Sequence, residues 1–282
     1  MPRVSVVVPA FRSADFVVDT IKSVLAQTYT DFELVLADHS SDDDTQAVLE
    51  RFGDTPRVRV LSPTPPGGGA EANWNRASRA ATGEFLKLLP ADDLLRPDAL
   101  ERQVDALERH PSAVLVASRR RLIDATGRTL LAKRGLPGSL LGLHTGAEAI
   151  RVTVRAGTNV FGEPGAVLLR RDALARAGWW DGRSGYAIDL QTYANVLAHG
   201  DMVGIDHALS SFRISGQQWS VRLASSQAAE MAAVFERLGA QFGATVSPSD
   251  VRLGSRRAWV QSLARRGVYL ALGLSRRSLR GG

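Results

Sequence analysis

EFLKLLPADDLLRP, residues 84–97, places two adjacent carboxylates just beyond an apolar run. Residues 85–89 favour a buried strand, and Asp92 and Asp93 follow shortly after Pro90. Like charges at neighbouring positions repel each other, and burying them unpaired is costly. The pair must therefore either lie in water as part of a loop or be held by something positive.

The segments before this pair alternate between strand and helix patterns. Strands are predicted at 4–9, 32–38, 57–62 and 84–89, and helices at 13–25, 42–53, 70–83 and from 97 onward. This order predicts a mostly parallel sheet with helices on both faces. Ligands of such sheets bind outside the carboxyl ends of the strands, where Asp38 and the Asp92-Asp93 pair are expected.

Beyond residue 112 the pattern is less regular. We predict two strands in 113–131, a helix in 145–157, a strand and a helix in 165–181, a helix in 187–200, a strand pair formed by 201–206 and 208–215, and helices from about 222 onward.

Composition limits the class of protein. The 282 residues suit one large domain or a domain with appendages. The absence of cysteine excludes disulfides, thiolate zinc sites and a cysteine nucleophile. The net charge of +6 depends on residues 252–282, which contain eight arginines and no acidic residue, so a nucleic-acid-binding body is not expected. Without a signal peptide or an apolar run of ~18–20 residues, the sequence predicts a cytoplasmic protein.

The carboxylates have both functional and structural interpretations. Asp92 and Asp93 suit Mg²⁺ or Mn²⁺, which often take only one or two protein carboxylates, but a solvated turn before a helix is equally consistent. Asp38 is placed to accept hydrogen bonds from a base or ribose, or to stabilise a turn. Asp189 is either a general base or a helix-start charge. The glycines at 67–69 fit a pliable loop near a diphosphate or a linker, since they match neither GxGxxG nor a P-loop.

Taken together, these segments resemble the family 2 glycosyltransferases, of GT-A fold, over about residues 3–220. VSVVVPAFR at 4–12 is similar to their first strand, LVLADHSSDDDT at 34–45 to their nucleotide-binding stretch, and 67–95 to the segment leading to their D-x-D motif. The likeness continues through 161–182, 186–200 and 212–220. The chain departs from the family pattern at Arg12, His39, Pro90 and Ile188.

The resemblance implies a role for each candidate residue. Asp189 matches the catalytic base, Asp93 a metal ligand, and Asp92 a contact to the ribose or the metal. Nucleotide-sugar contacts are expected from Pro9, Ala10, Phe11, Asp38, Asn73, Asp92 and Arg213, the last near the diphosphate. The implied cofactor is Mg²⁺ or Mn²⁺. The implied domains are a GT-A domain at 1–220, with a nucleotide-binding half at 1–112 and an acceptor-side half at 113–220, and a helical basic extension at 221–282.

The reaction implied by the resemblance is inverting transfer of a sugar from a nucleotide diphosphate sugar to a hydroxyl of a carbohydrate or lipid-linked acceptor, in cell-envelope polysaccharide or glycolipid synthesis. One alternative is a catalytically degenerate nucleotide-sugar binder, because several motif positions are altered. Another is a sugar-1-phosphate nucleotidyltransferase. Members of that class resemble one another in a Gly-rich loop directly after strand one, whereas this chain has PAFRSADF, without glycine, at 9–16.

The basic tail has two interpretations. Trp259, Leu263, Leu270 and Leu274 fall at helical spacing with arginines between them. That pattern is typical of a helix on a membrane surface, which would place the protein at the inner face of the membrane. It is equally typical of a helix packed on the body with a solvated basic end.

Overall fold

Four parallel strands form the first half of the sheet in a computed structural model that describes residues 1–214 and 227–271, with side chains through residue 264. They are β1 (Val4–Ala10), β2 (Phe32–Asp38), β3 (Val58–Val60) and β4 (Phe85–Leu88), in the order β3-β2-β1-β4. The intervening helices are α1 (Val17–Leu25), α2 (Thr45–Glu50) and α3 (Gly69–Ala80), with α4 (Ala99–Arg109) after β4. The alternating pattern of the sequence therefore predicted this half correctly.

The second half makes the sheet mixed. Its strands are β5 (Leu94–Leu95), β6 (Ala113–Asp124), β7 (Thr129–Arg134), β8 (Gly142–His144), β9 (Val167–Arg170) and β10 (Asp201–Ile214). The order continues β4-β9-β6-β10-β5, and β9 runs antiparallel to both of its neighbours. The helices of this half are α5 (Gly146–Ala156), α6 (Arg171–Arg176), α7 (Ile188–Leu197), α8 (Gln227–Gln241) and α9 (Pro248–Ala271).

The strand pair predicted for 201–215 is a single long strand, β10. It runs parallel to β6, and its register shifts from Ile205↔Ser118 to Ala208↔Arg119. The extra residues at 206 and 207 therefore form a bulge and not a reversing turn. Asp206 is held at this bulge by ion pairs with Arg119 and Lys133, which no local sequence pattern reveals.

Helices cover both faces of the sheet, as predicted. Along β1, Val7 joins a core layer with α3, α5, α7 and α8, while Val6 and Val8 join the opposite layer with α1, α2 and α4. Successive side chains of a strand point to opposite faces, so an apolar run is buried on both sides. This burial rigidly fixes the carboxyl ends of β1, β2 and β4, where the loops of the cleft begin.

The described part of the C-terminal region packs on the body. Phe235 of α8 is fully buried in the same core layer as Val7. Helix α9 approaches α5 through small residues, with Gly254, Ala258 and Ser262 buried along one face. The side chain of Leu270, and Leu274 altogether, lie outside the described residues.

Gly254→Ala is expected to loosen this helix packing. A β-carbon at Gly254 would overlap the backbone carbonyl oxygen of Val154, and backbone cannot move aside cheaply. Overpacking of this kind costs ~1–3 kcal/mol. For a chain of this size each kcal/mol lowers Tm by roughly 2–4 °C, which calorimetry can measure. Gly138→Ala is the control, because its added methyl meets nothing within 4 Å. Equal melting of the two variants would contradict the tight contact between α5 and α9.

Candidate functional site

A cleft of about 940 Å³ opens beyond the carboxyl ends of β1, β2 and β4. Six of the residues predicted from the sequence line it, namely Pro9, Ala10, Phe11, Asn73, Asp92 and Asp189. The positions that depart from the family pattern, Arg12, His39, Pro90 and Ile188, line it as well. The fold thus brings the strand-end segments of both halves to one place.

One end of the cleft is aromatic and carries strained backbone. Phe11 is 48% exposed, and its ring meets His39 edge to face at 6.0 Å between centroids. The Nε2 atom of His39 donates a hydrogen bond to the carbonyl oxygen of Gly67 at 2.9 Å. Arg12 and Ser40 adopt left-handed backbone with φ of 48° and 50°, which is rare outside glycine. Such strain clusters where a ligand is held.

The Arg12 side chain is fixed beside this aromatic end. Its guanidinium donates to both carboxylate oxygens of Asp42 at 2.6 Å. Its backbone N–H donates to the hydroxyl of Ser41 at 2.9 Å. The pair is solvent-exposed, so it contributes little to stability and mainly shapes the rim of the cleft.

Asn73 joins the ends of β1 and β2 underneath the cleft. Its amide nitrogen donates to the carbonyl oxygens of Ala10 at 3.1 Å and Ala37 at 3.0 Å, and its oxygen accepts from the hydroxyl of Thr64 at 2.7 Å. These contacts use both amide hydrogens. Asn73 therefore positions the strand ends that any ligand would touch.

Asp38 lies at the end of β2 but does not line the cleft. Its carboxylate is 1% exposed and accepts hydrogen bonds from the backbone N–H of Ser41 at 2.8 Å and from the Ser41 hydroxyl. This is the turn-stabilising arrangement that the sequence also allowed. Asp38 thereby fixes the 38–41 loop, on which His39 and Ser40 face the cleft.

The two carboxylates that follow β4 point in different directions. Asp92 lines the cleft, whereas Asp93 is 2% exposed and accepts a hydrogen bond from the backbone N–H of Arg213 at 3.0 Å. Burial, together with the neighbouring charge of Asp92, raises the pKa of Asp93 well above its usual value. Adjacent carboxylates are tolerated here because Asp92 lines the cleft, while burial favours the neutral form of Asp93, which accepts the hydrogen bond from Arg213.

Arg213, at the end of β10, is 3% exposed and does not line the cleft. Its guanidinium donates to the carbonyl oxygens of Asp92 at 2.9 Å and Ala125 at 3.0 Å, and it stacks over the ring of Phe16 at 4.8 Å. Arg213 thus links the loop after β4 to the turn after β6. This linkage supports the backbone of Asp92 from behind.

The acidic residues of the cleft suit a hard divalent cation in part. No group of three or more acidic or histidine side chains with metal-binding geometry occurs among the residues that the structure describes. Magnesium and manganese accept oxygen ligands, and magnesium commonly uses one or two carboxylates with substrate phosphates as the remaining ligands. Asp92 lines the cleft and is therefore the candidate of the pair for this role. Asp93 is buried and does not line the cleft.

Asp189 lies in the first turn of α7, on the far side of the cleft. Its Oδ2 accepts from the side-chain amide of Asn159 at 2.8 Å and its Oδ1 from the backbone N–H of Leu190 at 2.7 Å. Burial in this wall raises the pKa of Asp189 to about 7. A carboxylate poised near neutral pH is suited to accept a proton from a bound hydroxyl.

Asn159 is a positioning residue that sequence reasoning missed. Its amide nitrogen also donates to the carbonyl oxygen of Gly162 at 2.9 Å, and its oxygen accepts from the backbone N–H of Phe161 at 3.0 Å. These contacts fix the orientation of the amide toward Asp189. The pairing spans 30 residues of sequence, so no local motif points to it.

Arg120 and Glu163 form an ion pair in the cleft wall that the sequence did not reveal either. The Nη2 of Arg120 donates to Glu163 at 3.0 Å, and Nε makes a second contact with the same carboxylate. The available signal was the arginine run 119–121 inside an otherwise apolar strand. The pair's charges influence both Asp93 and Asp189, so these residues share one neighbourhood.

Lys87 is a fully buried lysine beneath this wall. It lies in β4, and its ammonium donates to the carbonyl oxygens of Gly165 and Val167 at 2.9 Å each. Burial lowers the pKa of Lys87 to about 7. Its two bonds fasten the segment that follows Glu163 to the centre of the sheet.

Comparison with known proteins identifies the kind of chain. A family model described as glycosyl transferase family 2 matches residues 5–178. The chondroitin synthase of Escherichia coli is 35% identical over 131 residues, which cover 46% of this chain and 19% of that protein. A putative teichuronic acid biosynthesis glycosyltransferase, TuaG of Bacillus subtilis, is 30% identical over 137 residues, covering 48% of this chain and 50% of its own length. The chain therefore matches half or less of these relatives' lengths.

Two solved structures share the fold. TarS residues 1–349 from S. aureus, in complex with UDP-GlcNAc, has a TM-score of 0.67 at 18% identity and covers 85% of this chain and 66% of its own. The mannosyltransferase PcManGT from Pyrobaculum calidifontis, in complex with GDP-Man and Mn²⁺, has a TM-score of 0.65 at 18% identity, covering 100% of this chain and 76% of its own. The GT-A fold expected from the sequence is thereby confirmed.

Proposed function

The chain belongs to glycosyl transferase family 2, since the family model spans more than half of it, and on that premise we propose that it transfers a sugar from a nucleotide diphosphate sugar to an acceptor hydroxyl with inversion. The supporting observation is that Asp189, with a pKa of about 7, faces the same cleft as the loops after β1, β2 and β4. We propose a carbohydrate or lipid-linked acceptor of cell-envelope glycan synthesis, because one relative is named for teichuronic acid biosynthesis.

The donor nucleotide would occupy the aromatic end of the cleft. Phe11 offers an exposed ring for stacking on a base, and His39 and the 67–69 loop close that side. The diphosphate would extend from there toward Asp92. Pro9, Ala10 and Asn73 would shape this path, while Asp38 and Arg213 would support it from beneath through the contacts described above.

Asp92 would hold a Mg²⁺ or Mn²⁺ ion together with the donor diphosphate. When bound, such an ion neutralises the negative charge that develops on the departing diphosphate. Asp93 would keep this loop in place by accepting from the backbone N–H of Arg213.

Asp189 would take the proton from the attacking acceptor hydroxyl. Asn159 and the backbone of Leu190 hold both of its oxygens, which leaves the remaining lone pairs for the substrate. Glu163, which also lines this part of the cleft, is ion-paired with Arg120. Asp189 forms no ion pair with any described residue, and one such base suits direct displacement, which inverts the anomeric centre.

A thermal-shift screen of UDP-, dTDP- and GDP-sugars with manganese tests the donor proposal, because ligand binding raises Tm by mass action. Donor hydrolysis is then measured with and without a chelator. We expect stabilisation by one nucleotide class and chelator-sensitive hydrolysis. Stabilisation without any turnover would support the degenerate binder instead, and no stabilisation by any donor would contradict the proposal.

We also propose that α9 contacts a membrane surface. No helix among the described residues is long and apolar enough to cross a bilayer. Trp259, Val260 and Leu263 are 55%, 67% and 63% exposed on α9, with Arg252 and Arg256 exposed on the same helix. Exposed apolar residues beside basic ones are typical of interfacial helices drawn to anionic lipids.

Leu263→Ser is expected to weaken co-sedimentation with phosphatidylglycerol vesicles at low salt by several-fold. The matched control is Leu143→Ser, a leucine 46% exposed on β8, which should sediment like the unaltered chain. Raising the salt should release the unaltered chain and the Leu143→Ser variant from the vesicles, because salt screens the attraction to anionic lipid. If the unaltered chain does not sediment at low salt, the membrane proposal is wrong.

A further inference from the structure

Two arginines face each other across β6 and β7 in the wall of the cleft. Arg120 is the cross-strand partner of Arg134 in the antiparallel ladder, and both side chains line the cleft. Directly opposed residues share one face of a sheet, with Cβ atoms about 4.5–5.5 Å apart. Like charges in this arrangement destabilise the pairing unless something negative lies between them.

The guanidinium of Arg120 is only partly satisfied. The residue is 6% exposed, and Glu163 engages its Nε and Nη2 atoms. Its Nη1 atom is buried and has no hydrogen-bond partner within residues 1–214 and 227–271. Buried donors are nearly always paired, so this nitrogen is available to a group bound in the cleft.

Arg134 adds a positive charge that the fold does not neutralise. It is exposed at the end of β7, and its side chain forms no ion pair with any carboxylate in the described part of the chain. Because the carboxylate of Glu163 neutralises the charge of Arg120, the remaining positive charge in this part of the cleft wall is that of Arg134.

The backbone leaves space around the unpaired nitrogen. Gly135 and Gly162 have φ of 102° and 98°, which favours glycine. A β-carbon at Gly135 would overlap Nη1 of Arg120, and one at Gly162 would lie 3.1 Å from it. Side chains at either position would therefore crowd the atom that lacks a partner.

We propose that Arg120 and Arg134 form a subsite for an anionic group, a carboxylate or a phosphate, carried by one of the two substrates. The inference rests on the proposed glycosyl transfer, because it concerns the same cleft. Guanidinium groups bind carboxylates and phosphates through paired hydrogen bonds. Leu122, Phe212 and Ile214 line the cleft on the neighbouring strands and provide an apolar wall for the ring that carries the anion.

Simple anions test the subsite whichever nucleotide sugar the chain uses as its donor. Thermal shifts are measured with sodium glucuronate, inorganic pyrophosphate, glucose and sodium chloride, the salts at equal ionic strength. The key variant is Arg134→Gln, because Arg120→Gln would leave the part-buried Glu163 without its ion-pair partner. Arg121→Gln is the matched control, since Arg121 is the next residue of β6, points to the opposite face and does not line the cleft.

We expect an anion to stabilise the unaltered chain beyond the sodium chloride control. Arg134→Gln should weaken its apparent affinity roughly tenfold, as loss of a charged hydrogen bond does, and Arg134→Lys should restore part of it. Arg121→Gln should respond like the unaltered chain. A response to glucuronate but not to glucose assigns the subsite to a sugar carboxylate, and a response to pyrophosphate alone assigns it to a phosphate.

The inference is overturned if neither anion stabilises the protein beyond sodium chloride, or if Arg134→Gln responds like the unaltered chain. Titration of the same variants with nucleotide sugars separates this result from the wider proposal. Normal donor binding without an anion response would contradict only the proposed subsite. An anion response that depends on Arg134, without any donor binding, would contradict the proposed sugar transfer and support the anion subsite.

Discussion

Asp189→Asn is expected to lower kcat for sugar transfer roughly 10²–10⁴-fold while leaving donor affinity unchanged, because a missing general base affects only the chemical step. The asparagine oxygen can still accept from the backbone N–H of Leu190, so the start of α7 should be preserved. Radiolabelled transfer measures the rate, and thermal shift measures donor binding. A variant that transfers at nearly the normal rate would show that another group is the base.

The pH dependence gives an independent signature of the same residue. The pKa of Asp189 is raised to about 7, so the carboxyl is mostly protonated at pH 6 and cannot accept a proton there. Transfer should therefore fall about tenfold per pH unit below that pKa and level off above it.

Asn159→Asp is the positioning control. It removes the amide donor and adds a negative charge beside Asp189, so the transition should move to higher pH. An unshifted profile would show that Asp189 does not set it.

Asp92→Asn is expected to reduce transfer by roughly 10²–10³-fold and to weaken manganese binding, because the ion that we propose Asp92 holds would supply several kcal/mol of stabilisation to the departing diphosphate. The structural reason is that Asp92 faces the cleft. The measurement is the manganese concentration that gives half-maximal transfer, which should rise by a large factor in this variant.

Asp93→Asn is the matched comparison for this prediction. Its amide oxygen can still accept from the backbone N–H of Arg213, so the loop should keep its shape. The variant should therefore need about the same manganese concentration as the unaltered chain. If Asp93→Asn loses the manganese response and Asp92→Asn retains it, Asp93 is the ligand, as the resemblance implied, and the cleft must rearrange on donor binding.

Local patterns predicted the first half of the fold well. β2 has the bounds read from the sequence, 32–38, because an uninterrupted apolar run between turn residues suits a strand buried on both faces. β10 could not be read in the same way. Its bulge brings Asp206 beside Arg119 and Lys133, which are distant in sequence, so no local pattern marks it.

The position of the cleft was predictable from the sequence, whereas the burial of the individual side chains around it was not. The rule that ligands bind beyond the carboxyl ends of parallel strands located the cleft correctly. Whether Asp92 or Asp93 faces it depends on the backbone of one loop, which Arg213 fixes from β10. Arg120 and Glu163 meet only after folding, across 43 residues, so their pairing has no sequence signature.

β9 joins the parallel half to the rest of the sheet through a short ladder, in which Phe85 pairs with Arg170 and Leu86 with Leu169. Backbone hydrogen bonds make few demands on residue identity, so this seam is tolerant of sequence divergence. Lys87 constrains the sequence more strictly, because its buried ammonium needs the carbonyl oxygens of Gly165 and Val167, in the segment before β9 and at its start, as acceptors. Chimeras that exchange everything after β5 between related chains should therefore assemble when the segment carrying the carbonyl oxygens of Gly165 and Val167 is kept.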